Sequence, residues 1–185
     1  EAADELTTGI SNTVVGARAL NSADGSEAYN VAIGVDCMAS VDNDSFASNI
    51  ALGVDALTGG TGAVIGCIAI GQNTLGGTTT QAQTGTVAIG HNALSALTSG
   101  AGNTAIGYQA LEDITAADNN TAVGYLALNG SSNVASHENT AIGSYTLDAI
   151  GANLATKNTA VGYNSLTSVT TGDENAAFGR SSGLA

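Results

Sequence analysis

Asn103–Leu111 has the sequence NTAIGYQAL, and near-copies of these nine residues recur along the chain. Three close copies are NTAVGYLAL from Asn120, NTAIGSYTL from Asn139 and NTAVGYNSL from Asn158. More divergent copies begin at Asn12, Asn30, Asn49, Cys67, Thr86 and Asn175. The chain is therefore built from ten repeats, and we number the positions of each repeat one to nine from its first residue.

The spacing of the repeats predicts a β-solenoid. Position five is glycine in every repeat, at steps of 17 to 19 residues from Gly16 to Gly179. This period is too short for paired-helix repeats, and Thr, Val, Ile and Gly are poor helix formers. At ~3.3 Å per strand residue, one period closes a small coil with turns. We predict an all-β parallel solenoid, or β-roll, of about ten coils, each of about 18 residues and ~4.8 Å from the next.

The repeats nearly fill the chain, which predicts a single domain. They run from about residue 12 to 183, after a lead-in of residues 1–11, so we assign residues 1–185 to one β-solenoid repeat domain. Within a strand, side chains two positions apart share a face. Position four is always a larger apolar residue, and position nine is Leu in eight repeats. We expect both positions to line the inside of the coil, where each burial contributes about 1.5–3 kcal/mol.

Positions three and five would then lie outside as a strip of Ala and Gly. A face with such small side chains permits close approach of another backbone, and it predicts an interface between copies of the chain. Glycine alone has a second explanation, which is a bend or a positive φ at a corner. The candidate interface consists of Ala32, Gly34, Ala51, Gly53, Ala69, Gly71, Ala88, Gly90, Ala105, Gly107, Ala122, Gly124, Ala141, Gly143, Ala160 and Gly162.

Position one is Asn in eight repeats, and stacked Asn side chains form hydrogen-bonded ladders along a solenoid axis. Position six carries Tyr108, Tyr125 and Tyr163. Tyr108 and Tyr125 are expected to stack in adjacent coils, with Ser144 interrupting the row before Tyr163. The three tyrosines are candidate surface-binding residues, although a packing ladder explains them as well.

Charge and motif content exclude several classes of function. The chain has 3 Lys and Arg against 16 Asp and Glu, for a net charge of -13. Nucleic acids and anionic lipids require clustered cations, so neither is an expected partner, and no apolar run approaches the ~20 residues of a membrane span. No catalytic motif is present, and His91 and His137 lie about two and a half coils apart. We therefore expect no enzymatic activity.

Two further features have structural explanations. Asp42 and Asp44, beside Asn43, are a weak candidate for a Ca²⁺ site, and a solvated turn is the simpler explanation; no other cofactor is expected. Cys37 and Cys67 lie two coils apart, about 9–10 Å by stacking, which is beyond disulfide reach. Both thiols are therefore expected to be free and buried.

The NTAIGYxAL repeat resembles those of bacteriophage tail-fibre and tail-spike proteins. Its Val-Ala-Ile-Gly core, as in 87–90, is similar to the head repeat of trimeric autotransporter adhesins of the YadA type. The resemblance extends from about residue 10 to 183 and implies a left-handed parallel β-roll with three chains around a common axis. The adhesin repeat is shorter, so these coils carry larger loops.

The resemblance and the absence of catalytic motifs lead to one functional expectation. The chain is expected to be a structural or adhesive module of an extended homotrimeric fibre, on a phage virion (tail fibre or appendage) or an extracellular cell surface. Its partners would be copies of itself and a cell-surface glycan or receptor. Alternatives are a self-polymerising extracellular filament subunit and an ice- or surface-binding solenoid. The last requires a flat regular array, for which position two offers Thr104, Thr121, Thr140 and Thr159.

Overall fold

In a computed structural model of the chain, the described residues are 2, 6–22, 25–41, 45–59, 62–77, 82–130, 136–149 and 155–183. Their strands are short and parallel, and they stack as a β-solenoid. The strands are β1 Thr13–Val15, β2 Val31–Ile33, β3 Ile50–Leu52, β4 Val64–Ile65, β5 Ile68–Ile70, β6 Gln83–Thr84, β7 Val87–Ile89, β8 Gly100–Ala101, β9 Thr104–Ile106, β10 Thr121–Val123, β11 Thr140–Ile142, β12 Thr159–Val161 and β13 Ala176–Phe178. The predicted fold class is confirmed.

The strands form two sheets. The larger sheet takes one strand from each repeat, in the order β1-β2-β3-β5-β7-β9-β10-β11-β12-β13. The smaller has the order β4-β6-β8. Pairing joins equivalent positions, so that Ala122 pairs with Ala105 on one side and with Ala141 on the other. Because the register never shifts along the larger sheet, each position of the repeat becomes a column of side chains along the solenoid.

The interior of the coils is filled by position nine, by small residues and by apolar connector side chains such as Leu97 and Ile114. Leu111 at position nine and Ala110 at position eight are wholly buried, as is Ala105 at position three. The prediction that the Leu column lies inside is confirmed. The fully buried leucines and the methionine of position nine are Leu20, Met38, Leu57, Leu75, Leu94, Leu111, Leu128 and Leu147.

The predicted orientation of the strands was wrong, because position three faces inward and position four outward. Alanine at position three packs against the core and is enclosed within its own coil, and the first repeat carries the partly buried Val14 at this position. An interface between chains cannot use side chains that have no exposed surface. The alanines of the predicted interface are all 0% exposed and are therefore excluded from it: Ala32, Ala51, Ala69, Ala88, Ala105, Ala122, Ala141 and Ala160.

The glycines of position five occupy the corner that ends each strand. Gly107 has a φ of 139°, in the region that L side chains rarely adopt. A Cβ added there would overlap the carbonyl oxygen of Gly124 in the next coil. The corner explanation of these glycines is therefore confirmed, and the close approach that they permit is to the neighbouring coil of the same chain.

The predicted asparagine ladder is also confirmed. Asn139 is buried, and its Nδ2 donates to Asn120 Oδ1 at 3.2 Å and to the Ala155 carbonyl at 3.0 Å. The backbone N of Asn158 in turn donates to Asn139 Oδ1 at 3.0 Å. Each amide thus ties its own coil to the coils on both sides. The Asn column is interrupted at Cys67, where the backbone N still donates to the preceding Asn side chain, and at Thr86.

The glycine corner generates a test of how closely the coils pack. We predict that Gly107→Ala lowers the free energy of unfolding by more than about 3 kcal/mol, because both φ and the clash with Gly124 must be relieved by backbone movement. Gly66→Ala is the matched control, since Gly66 has a φ of 66° and open space around its Cα. It should cost only about 1 kcal/mol.

Urea unfolding followed by circular dichroism measures both values. Equal losses of unfolding free energy in the two variants would show that the close approach of successive corners does not restrict position 107 to glycine.

Candidate functional site

The most extensive candidate surface is the outer side of the ten-stranded sheet, made by positions two and four; we call it the outward face. All twenty of its residues are uncharged, in a chain that carries 16 acidic residues. At position two they are Thr13, Val31, Ile50, Ile68, Val87, Thr104, Thr121, Thr140, Thr159 and Ala176. At position four they are Val15, Ile33, Leu52, Ile70, Ile89, Ile106, Val123, Ile142, Val161 and Phe178.

The outward face leaves large aliphatic side chains in solvent. Ile106 is 38% exposed and Ile142 is 40% exposed, and exposure rises to 57% at Val15 and 69% at Phe178 near the two ends of the sheet. Ten strands spaced ~4.8 Å apart give a strip roughly 43 Å long and, with two side chains per strand, an area on the order of 400 Å². The largest apolar patch of a typical soluble monomer has about this size and is often functional.

Part of the outward face is a regular threonine array. Thr104, Thr121, Thr140 and Thr159 are direct partners in successive strands β9 to β12. A parallel column of Ile and Val from position four runs beside them. The array therefore presents one hydroxyl and one branched aliphatic group per strand, at the strand spacing.

A second candidate surface lies at the turn that follows each glycine corner, where aromatic rings stack along the solenoid. We call it the aromatic ladder. Its successive centroid distances are 5.4, 5.3, 5.3 and 6.0 Å. Arg180 continues the row with its guanidinium 5.8 Å from the last ring. The rings belong to His91, Tyr108, Tyr125, Tyr145 and Tyr163.

The predicted stacking of Tyr108 on Tyr125 is confirmed, with the rings inclined by only 10°. Ser144 does not interrupt the row as expected, because Tyr145 at position seven contributes the missing ring. Sequence reasoning missed this residue because it compared only equivalent positions. The sequence did contain a signal. Tyr145 immediately follows Ser144, the serine that stands at position six where the neighbouring repeats have tyrosine.

The ladder changes its geometry at Tyr145. Its ring meets Tyr125 at 68° and Tyr163 at 83°, whereas the preceding pairs are nearly parallel. An open cavity of about 460 Å³ lies beside it, and burial raises the pKa of the Tyr145 hydroxyl and of the Asp148 carboxyl. The cavity is lined by Tyr145, Asp148, Tyr163, Asn164 and Thr167.

A further open cavity of about 320 Å³ lies near His137. The backbone N of Asp118 lies 3.0 Å from His137 Nδ1 in donor position, and Asp118 Oδ2 lies 3.4 Å from the same nitrogen. Thr156 Oγ1 donates to Asp173 at 3.1 Å rather than to the imidazole. Among the described residues that line this cavity, no hydroxyl is hydrogen-bonded to the imidazole. The cavity is lined by Asp118, Asn119, His137, Glu138, Thr156 and Lys157.

The described residues contain no group of three or more His, Cys, Asp and Glu side chains that could hold a metal ion. The candidate Ca²⁺ ligands Asp42 and Asp44 lie outside the described residues. Nor does the described part of the chain contain a helix with the length and apolar character of a membrane span.

Comparisons of the chain with models of protein families, with curated proteins and with solved structures found no match. The fold and its surfaces therefore define the class of this protein by themselves. It is a parallel β-solenoid with an uncharged outward face and an exposed aromatic ladder.

Both cysteines are free and buried, as expected. Burial raises the pKa of the Cys37 thiol to about 11 and also raises that of Cys67. At pH 8 only on the order of one Cys37 thiol in a thousand would be ionised, and the thiolate is the reactive form. We predict that the folded protein does not react with Ellman's reagent at pH 8 within an hour.

After unfolding in urea, both thiols should react within minutes. Fast reaction of the folded protein at either cysteine would contradict the enclosed position of these side chains.

Proposed function

We propose that this chain is a structural module of an extended homo-oligomeric fibre, on a phage virion or an extracellular cell surface. We further propose that copies pack side by side through the outward face. The observation that carries the proposal is the uncharged apolar column on all ten strands of the sheet. The outward face therefore takes the place of the enclosed Ala residues of position three as the proposed contact surface.

The charge distribution favours the same surface. Two copies that each carry a net charge of -13 repel one another, so a contact between them requires a region free of acidic groups. Acidic residues such as Asp36, Asp55 and Glu112 lie in the turns and connectors, outside the strands. The outward face is thus the region where identical chains can approach with the least repulsion.

The energetics also favour association. Exposed aliphatic area contributes about 25 cal/mol per Å² when it is removed from water. A strip of about 400 Å² on each partner therefore supplies on the order of 20 kcal/mol per pair before the costs of association are subtracted. A closed arrangement of three chains, which the repeat resemblance implies, would cover every copy of the face around one axis. Contact of such a fibre with a cell-surface receptor or glycan is part of the proposal.

A second candidate function is ice or mineral surface binding, favoured by the in-register threonines Thr104, Thr121, Thr140 and Thr159. A flat array with a fixed spacing matches a crystalline surface better than it matches an irregular receptor. This function requires the outward face to remain free in solution, whereas the fibre requires it to be covered.

Light scattering coupled to size exclusion tests the fibre. We predict a discrete mass of about three times 18.0 kDa for the unmodified chain. The double variant Ile106→Lys/Ile142→Lys should be monomeric, because two unpaired charges buried in a contact cost several kcal/mol each. Val54→Lys is the matched control, since Val54 is 43% exposed at position six and lies off the outward face.

The control variant should keep the mass of the unmodified chain. A monomeric unmodified chain would overturn the proposal, and large species of many sizes would favour end-to-end filament growth instead.

Thermal hysteresis tests the second candidate on the same samples. Because the proposed fibre covers the outward face, we predict no difference between freezing and melting points at millimolar chain concentration. A monomer that shows hysteresis, and loses it in Thr121→Lys/Thr140→Lys, would replace the fibre with an ice-binding function.

A further inference from the structure

The aromatic ladder contains a site that the proposed assembly does not use. We propose that the cavity between Tyr145 and Tyr163 is a carbohydrate-binding site that takes a neutral glycan. The site lies at the turns, on positions six and seven and in the connectors, and none of its residues belongs to the outward face. The inference specifies the glycan contact of the proposed function, on which it rests, and it places that contact away from the surface that joins the chains.

The first argument is the geometry of the rings. In the regular part of the ladder, His91, Tyr108 and Tyr125 lie within 10° of parallel, so successive rings cover each other's faces and expose their edges. Tyr145 is turned by 68° and 83° from its neighbours, and perpendicular rings leave a face uncovered. An uncovered aromatic face is the surface on which the C–H side of a sugar ring stacks.

The second argument is the position of Tyr145 in its repeat. Position six holds a tyrosine in the repeats before and after, but in this repeat it holds Ser144, while the tyrosine has moved one residue on to position seven. Tyr145 keeps the row continuous, with its ring centroid 5.3 Å from Tyr125 and 6.0 Å from Tyr163, but it enters the row from position seven and stands at a steep angle to both neighbours. The ring that changes the stacking is also a ring that lines the cavity.

The third argument is the polar lining. Asp148, Asn164 and Thr167 provide a carboxylate, an amide and a hydroxyl beside the two rings. Sugar hydroxyls both donate and accept hydrogen bonds, and these three groups offer acceptors and donors together. A volume of about 460 Å³ also falls within the range of about 300–1,000 Å³ that small-molecule sites occupy.

The fourth argument is charge, which selects the kind of glycan. The chain as a whole carries -13, which disfavours polyanionic saccharides. At the site itself, the carboxylate of Asp148 also disfavours an anionic ligand. A neutral saccharide therefore meets the least electrostatic cost.

Native affinity electrophoresis tests the site, with gels that contain hydroxyethylcellulose, mannan or dextran as neutral probes and hyaluronan as the anionic probe. We expect the unmodified chain to be retarded by at least one neutral polysaccharide and not by hyaluronan. The exchange variant Ser144→Tyr/Tyr145→Ser keeps composition and charge but returns the ring to position six. It should restore parallel stacking, close the cavity and weaken binding by about tenfold or more.

Two further variants keep the result decisive. Tyr163→Ala removes a ring that is 47% exposed, so folding should be preserved while binding is lost. His91→Ala removes a ring of the same ladder outside the cavity and should leave retardation unchanged. Circular dichroism checks folding, and the solution mass reports assembly separately from binding.

Three outcomes would overturn the inference. They are no retardation in any neutral gel, retardation by hyaluronan alone, and equal retardation of the unmodified chain, the exchange variant and Tyr163→Ala.

Discussion

Backbone hydrogen bonds between successive coils are the interaction on which this structure depends. They join the strands, and they also join the turns: Gln109 N donates to the His91 carbonyl at 2.9 Å, and Leu111 N donates to the Ala127 carbonyl at 3.1 Å. These turn bonds hold Leu111 at a φ of 56°, which costs a leucine about 1–2 kcal/mol. Because each coil is fixed to the next at every position, a small repeated unit becomes a rod with columns of identical chemistry.

The narrow interior is the second constraint, and it determines where function can lie. A coil closed by 17 to 19 residues encloses the Leu of position nine, the Ala of position three and apolar connector side chains such as Leu97 and Ile114, with a buried asparagine as the polar tie at the corner. Larger aliphatic residues at positions two and four are therefore displaced to the outside. The same shortage of interior space that makes the coil stable thus creates an apolar outer surface. We propose that this surface is covered by other copies of the chain.

Departures from the repeat mark the places where the columns change their chemistry. Thr86 interrupts the asparagine column and leaves its hydroxyl buried without a hydrogen-bond partner, and the small sheet β4-β6-β8 lies beside this part of the column. The exchange of tyrosine for Ser144, followed by Tyr145, opens the aromatic ladder beside a cavity. In a structure whose regular positions form in-register columns, these departures are the places where the local chemistry differs from that of the other coils.

The sequence by itself determined the parallel solenoid, the Leu column, the asparagine ladder and the Tyr108–Tyr125 stack, because a period of about 18 residues and the in-register stacking that it implies leave few alternatives. It did not determine which strand face is inside. The alternation of side chains along a strand places positions three and five on one face. It does not show whether that face points into the coil or into solvent. Only the tertiary structure decided this, because the width of the coil interior depends on how the turns close. The tertiary structure also decided that Tyr145 belongs to the aromatic ladder. Tyr145 is one residue out of register with the other tyrosines, and its ring reaches the ladder only because of the path that the turn follows.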